Sequence, residues 1–275
     1  MPFIHAVILG IVQGLTEFLP ISSSGHLILV PWLFHWNDFD NKSVEKAFDV
    51  ALHIGTLVAV VAYFWRDLVV YAHDGVRAVV RRSEPITEEG RLAWLLVLSS
   101  IPAFIAGGLL GDWIDNELGG IPLIAISLIG FGLLLGYADQ RSKNARTMDS
   151  FDRRDALLVG AAQVLALNPG TSRSGITITA GRFRTFTRDS AARISFLMAI
   201  PVTAGAIVFE MAKLVKDGIP DGLLGPMIAG IITSAIFGWL AVWGTIKYVR
   251  THTYTPFVVY RVVVGVAVLA IYIAR

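Results

Sequence analysis

The sequence predicts an all-α polytopic membrane protein with about six transmembrane helices and two re-entrant helix hairpins arranged as an inverted repeat, all in one membrane domain spanning 1–275. Three observations carry this prediction. Hydrophobic residues make up 55% of the chain and charged ones 16%, with a mean hydropathy of +0.64, too apolar for an ordinary soluble domain. Six windows are long and apolar enough to span a bilayer core. Two further apolar segments are interrupted by polar runs that correspond to one another half a chain apart.

The first interrupted segment runs from Phe3 to about Phe34. It reads as a helix, an irregular turn at Pro20–Gly25 and a short helix returning to the same side. It contains Gln13 and Glu17 and lacks a preceding basic stretch, so it does not read as a cleavable signal peptide. The spans that follow are Phe48–Trp65, Leu92–Leu110 and Ile121–Tyr137. The second interrupted segment, Ala156 to about Arg182, turns at Asn168–Gly175. Ile194–Leu214, Leu223–Tyr248 and Pro256–Ala274 complete the set. Lipid cannot satisfy the N–H and C=O groups of irregular backbone, so both turns should face a polar cavity inside the protein.

Basic residues set the expected orientation. Arg66, Arg77, Arg81, Arg82 and Arg91 follow the first span, and Arg141, Lys143, Arg146, Arg153 and Arg154 follow the third. The Gly111–Gly120 connection carries Asp112, Asp115 and Glu117 and no Lys or Arg. The basic groups are therefore placed in the cytoplasm and the acidic loop outside. Traced from there, the first hairpin enters from the outer face and the second from the cytoplasm, with both termini outside. The halves, approximately 1–138 and 152–275, then have opposite orientation. At an offset of 150 positions Ala6, Gly10, Gln13, Leu15, Ser22, Ser24 and Gly25 coincide with Ala156, Gly160, Gln163, Leu165, Ser172, Ser174 and Gly175. Inverted repeats with interrupted helices place ligand sites near the midplane. At the same offset Glu17, Ser23 and His26 correspond to Leu167, Arg173 and Ile176.

Ionisable residues at membrane depth are costly and point to function. Gln13 and Glu17 lie four apart, on one helix face, where a carboxylate beside an amide can hold a hard divalent cation, Mg²⁺ or Ca²⁺, completed by waters and phosphate oxygens. Ser22–His26 lies in a turn leading into a helix, where free N–H groups favour an anion. If that turn curls, Ser23 meets His26, giving a hydroxyl nucleophile beside a base; alternatively the imidazole attacks directly, or water is activated. Arg173 offers planar, multidentate donors suited to phosphate. Cation, nucleophile or base, and arginine clamp together describe phosphoryl transfer. A Ser-rich turn also serves as a helix cap. His53 either lines the cavity or packs as a neutral donor. Arg261, charged within the last span, must pair or reach water. The absence of cysteine excludes thiol chemistry and Cys-ligated metals. A net charge of +2, with basic residues scattered through connecting segments, gives no nucleic-acid surface.

Gln13-Gly-Leu-Thr-Glu17-Phe-Leu-Pro-Ile-Ser-Ser-Ser-Gly-His26 and Pro169-Gly-Thr-Ser-Arg-Ser-Gly-Ile-Thr177 resemble the two signature motifs of the undecaprenyl-diphosphatase family associated with bacitracin resistance. The similarity continues through Phe48–Thr56, Phe196–Ala206 and Pro256–Arg261. The family's first motif often begins with Glu where this chain has Gln13. The resemblance implies hydrolysis of undecaprenyl diphosphate to the monophosphate carrier of cell-wall synthesis, with a divalent cation required. It also implies a bacterial plasma (inner) membrane protein in contact with membrane lipids, with a homodimer as the candidate assembly; the traced orientation puts its site on the outer, periplasmic side. The site expected on this basis has Glu17, Ser23, His26 and Arg173 as catalytic residues and Gln13 with Glu17 as metal ligands. Ser22, Ser24, Gly25, Gly170, Thr171, Ser172, Ser174, Thr177 and Arg261 are the expected substrate contacts. Two alternative classes share features of this chain. The type-2 phosphatidic acid phosphatases need a His six positions after the Arg, where this chain has Thr179, and a Lys-x6-Arg-Pro element that it lacks. A lipid-phosphate transporter or flippase would suit the same inverted-repeat architecture.

Overall fold

A computed structural model describes residues 1–39, 42–81, 83–217 and 222–275. Its helices are α1 (Phe3–Phe18), α2 (Ser23–Phe34), α3 (Lys42–Tyr63), α4 (Trp65–Val80), α5 (Glu88–Glu117), α6 (Ile121–Arg141), α7 (Arg153–Val164), α8 (Arg173–Phe183), α9 (Arg188–Asp217), α10 (Leu224–Val249) and α11 (Thr255–Ala274). No strand occurs among the described residues. Stretches of α5, α6, α9, α10 and α11 are long and apolar enough to cross a membrane, and α3 with α4 forms a sixth candidate span broken by an 83° bend. The chain is a multi-pass membrane protein. α1 and α2 have 16 and 12 residues, and α7 and α8 have 12 and 11. Each falls short of the roughly 20 residues a span requires. The members of each pair pack against one another, as expected of hairpins.

Two differences from the sequence expectation have physical causes. Several helices outrun their apolar windows, α5 reaching Glu117 and α9 reaching Asp217. Charged residues such as Glu and Lys end a membrane-depth segment but are good helix formers, so the hydropathy boundary precedes the helix boundary. The basic connection after the first span is helical over Trp65–Val80. It leaves Val69, Val70, Val76, Val79 and Val80 exposed alongside Arg66 and Arg77, the mixed character of a helix that follows an interface.

Close helix packing positions the site. α1 and α3 both lie on α10. A Cβ added to Gly55 would come within 1.9 Å of Ser234 Oγ and 2.3 Å of the Ile231 carbonyl, so only glycine permits this approach. Likewise a Cβ on Gly160 of α7 would meet the Ser99 carbonyl of α5 at 2.4 Å. α5 and α7 begin with side-chain caps, Thr87 accepting from Gly90 N and Asp152 exchanging bonds with Asp155 in a capping box. At the base of the second hairpin, buried Asp139 accepts from Arg182 at 2.9 Å and Arg188 at 2.8 Å, and Asp155 takes both Arg146 and Arg184. These pairs satisfy the arginines at the C-terminal end of α8 and tie that end to α6 and α7.

Candidate functional site

The two motif turns meet in the interior. Ser22 and Ser172 are both helix N-caps in the left-handed region, with φ of 79° and 72°, and each hydroxyl accepts from the amide three residues on, Gly25 N and Gly175 N. A serine there is strained, and the capping bond is what offsets that strain. The turns also bond to each other. Gly170 N donates to Ser22 Oγ at 3.2 Å, and Ser174 Oγ donates to the Leu19 carbonyl at 3.1 Å. Arg261, fully buried, locks the junction. Its Nε donates to Leu128 O, its Nη1 to Pro20 O, and its Nη2 to the carbonyls of Ser127, Gly170 and Thr171, at 2.9–3.3 Å.

Beside this junction a cleft of about 310 Å³ is lined by Glu17, Ser23, Ser24, Ser172 and Arg173 together with His53 and Gln163, with Lys46 and Glu210 also on its wall. Glu17 is its hub. One carboxylate oxygen forms the ion pair with Arg173; the other accepts from Ser23 Oγ at 2.5 Å and Gln13 Nε2 at 3.2 Å. Glu17 thus joins three elements: its own helix α1, Ser23 on the first turn of α2 and Arg173 on the first turn of α8. Arg173 Nη1 is buried without a hydrogen-bond partner, as are Gln13 Oε1 and both amide atoms of Gln163. A buried donor left unpaired costs about 1–3 kcal/mol. Orphans of both polarities beside one cleft are therefore a capacity for ligand atoms.

Several expected site residues lie elsewhere. Ser23 and His26 do not form the expected pair. Their side chains leave the first turn of α2 in different directions, Ser23 toward α1 and His26 toward α11. His26 Nδ1 donates to the Ser22 carbonyl at 2.7 Å, leaving Nε2 to accept from Tyr260 OH at 2.8 Å. Arg261 does not open into the cleft, because every guanidinium nitrogen is engaged by a main-chain carbonyl. Thr177 is bonded to the Arg173 carbonyl and to Ser195 Oγ within the α8–α9 contact. Gly25, Gly170, Thr171 and Ser174 are buried in the two turns and do not line the cleft. Gly175 is kept small by Arg261, since a Cβ there would lie 2.8 Å from Nη1. Conversely, Gln163 was absent from the expected site, although its coincidence with Gln13 at the 150-residue offset between the halves was the available signal.

A divalent cation would be held by Gln13 and Glu17. Gln13 Oε1 is buried and orphaned one helical turn from the Glu17 carboxylate, and one carboxylate with an amide oxygen, completed by substrate oxygens, is a donor set that hard cations accept.

The sequence profile of the family described as "Bacitracin resistance protein BacA" matches residues 6–267. Among curated relatives, the undecaprenyl-diphosphatase of Geobacter sulfurreducens is 48% identical over 276 residues, covering 100% of both chains. That of Geobacter metallireducens is 45% identical over 270 residues, 97% of each chain. That of Moorella thermoacetica is 41% identical over 275 residues, 100% of both.

Proposed function

The chain belongs to the bacitracin resistance protein BacA family, and from that membership we propose that it hydrolyses undecaprenyl diphosphate to undecaprenyl phosphate and inorganic phosphate in the bacterial plasma membrane. One observation carries the reading: Glu17, Ser23 and Arg173, drawn from both family motifs, converge on a single cleft, with an Arg173 donor still unpartnered. The polyprenyl tail stays among the apolar helices while the diphosphate enters the cleft. Arg173 holds the terminal phosphate through Nη1, and its pairing with Glu17 fixes the fork's orientation. Ser23 Oγ attacks the terminal phosphorus, its proton leaving through the Glu17 carboxylate that already accepts its hydrogen bond. The bond from phosphorus to the bridging oxygen breaks, the lipid monophosphate departs, and water then hydrolyses the phosphoserine. Gln13 and Glu17 would hold a divalent cation, which neutralises phosphate charge. His26, tied to Tyr260 and the Ser22 carbonyl, braces the turn that presents Ser23.

The test is phosphate release by the purified protein in detergent with a polyprenyl diphosphate. One inorganic phosphate is expected per polyprenyl monophosphate formed. A sample that binds the lipid and releases none would be a carrier and not an enzyme.

The same proposal places the cleft toward the outer face and treats 1–138 and 152–275 as an inverted repeat. It is supported by the matching left-handed N-caps Ser22 and Ser172 and by the basic character of the connections. Single cysteines at Glu117 and Asp149 in this cysteine-free chain should react with an impermeant thiol reagent from opposite sides of the membrane, position 117 from outside. Labelling of both from one side would end the topological assignment.

A further inference from the structure

We propose that His53 is a third protein ligand of the divalent cation, completing a Gln13–Glu17–His53 site; the inference rests on the cation reading given above. His53 sits on α3, whose register is fixed by fully buried Phe48 and Leu52 and by the Gly55 contact with α10. That register aims the imidazole into the cleft, where its side chain keeps 31% exposure and is not packed in the core. Its Nδ1 lies 2.7 Å from the Asp49 carbonyl oxygen. A carbonyl only accepts, so Nδ1 carries a hydrogen and donates there, leaving Nε2 as the ring nitrogen available on the cleft side. Metal-binding histidines are commonly held this way, the second ring nitrogen donating to a main-chain carbonyl.

Nε2 faces Glu17 Oε2 at 3.8 Å, the same oxygen that accepts from Ser23 and Gln13. Two ligands each about 2.1 Å from one cation can stand up to roughly 4.2 Å apart, so the observed gap accommodates an ion. Gln13 donates Nε2 to that same Glu17 oxygen and buries Oε1 without a partner, so its amide turned over would supply the remaining protein oxygen. An imidazole nitrogen suits a transition-metal ion better than the oxygen-seeking Ca²⁺. His53 therefore gives the site a metal preference that the two motifs by themselves do not.

The experiment is Mn²⁺ titration of the intact purified protein in detergent, followed by pulsed electron paramagnetic resonance of the bound ion. Wild type should show modulation from a directly bound imidazole nitrogen. His53→Asn, whose amide still donates to the Asp49 carbonyl, should lose that modulation and bind Mn²⁺ roughly ten- to a hundredfold more weakly. His26→Asn should retain both the modulation and the affinity. If Mn²⁺ binding depends on Glu17 but the nitrogen modulation is absent, or survives in His53→Asn, the His53 assignment is overturned while the Glu17 cation reading stands. If Glu17→Gln leaves Mn²⁺ affinity unchanged, the cation reading itself fails and takes this assignment with it. A folded thermal transition for each variant separates loss of a ligand from loss of the fold.

Discussion

Glu17→Gln is expected to abolish cation-dependent hydrolysis. The carboxylate is the only acid in either motif, and it joins Arg173, Ser23 and Gln13 at one point. An amide of the same shape can still accept from Ser23, so the cleft's outline should survive. What disappears is the negative charge that holds the cation, takes the Ser23 proton and balances Arg173. Removing a single preorganised transition-state contact typically costs about 10²–10³ in kcat. Because Glu17 serves three groups, the loss should be at least that large. The change also leaves a buried arginine without its counter-ion, which costs roughly 3–5 kcal/mol where no water can reach it and less in this open cleft. The check is phosphate release at saturating Mg²⁺ beside a thermal melt in detergent. Near-normal turnover would remove Glu17 from the site, and a melt unchanged from wild type would show that the lost activity is not lost folding.

Arg173→Lys should lose roughly ten- to a hundredfold in kcat/KM although the formal charge is kept. The guanidinium does two things at once. One arm is committed to Glu17, and Nη1 is buried and unpartnered beside the cleft. A lysine ammonium is a point charge on a flexible stem and cannot occupy both directions in one plane. It would satisfy Glu17 and leave the phosphate short of one charge-assisted hydrogen bond, worth about 1.5–3 kcal/mol. Steady-state kinetics on a short-chain polyprenyl diphosphate measure this directly. Full activity in the lysine variant would make the arginine a structural counter-ion for Glu17 and nothing more.

Much of this arrangement was legible in the sequence, for identifiable reasons. The spans and hairpins follow from hydropathy and from Pro20 and Pro169, since apolar windows and helix breakers act locally. Glu17 and Arg173 stood out because charge at membrane depth is rare. The rest depended on rotation and packing, which spacing does not encode. That Ser23 turns to Glu17 and His26 to Tyr260 is decided by how the strained Ser22 cap sets the first turn of α2. His53 enters the cleft only because Gly55 lets α3 close on α10. Arg261 had to find partners, but main-chain carbonyls leave no mark in a sequence, so its choice of five of them could not be read. α4 was hidden by its own mixture of valines and arginines.

Arg261 has one more consequence, in the order of synthesis. Its guanidinium is translated about ninety residues after the second turn and about 240 after the first, as its contacts with Gly170 and Pro20 record. Until it arrives, the Pro20, Gly170 and Thr171 carbonyls lack the donor that holds them in the finished protein. The nascent chain can insert its spans as they emerge, but the junction of the two turns is locked only when α11 docks. An interrupted or misinserted product is therefore left with a loosened, inert junction and not with a half-working hydrolase.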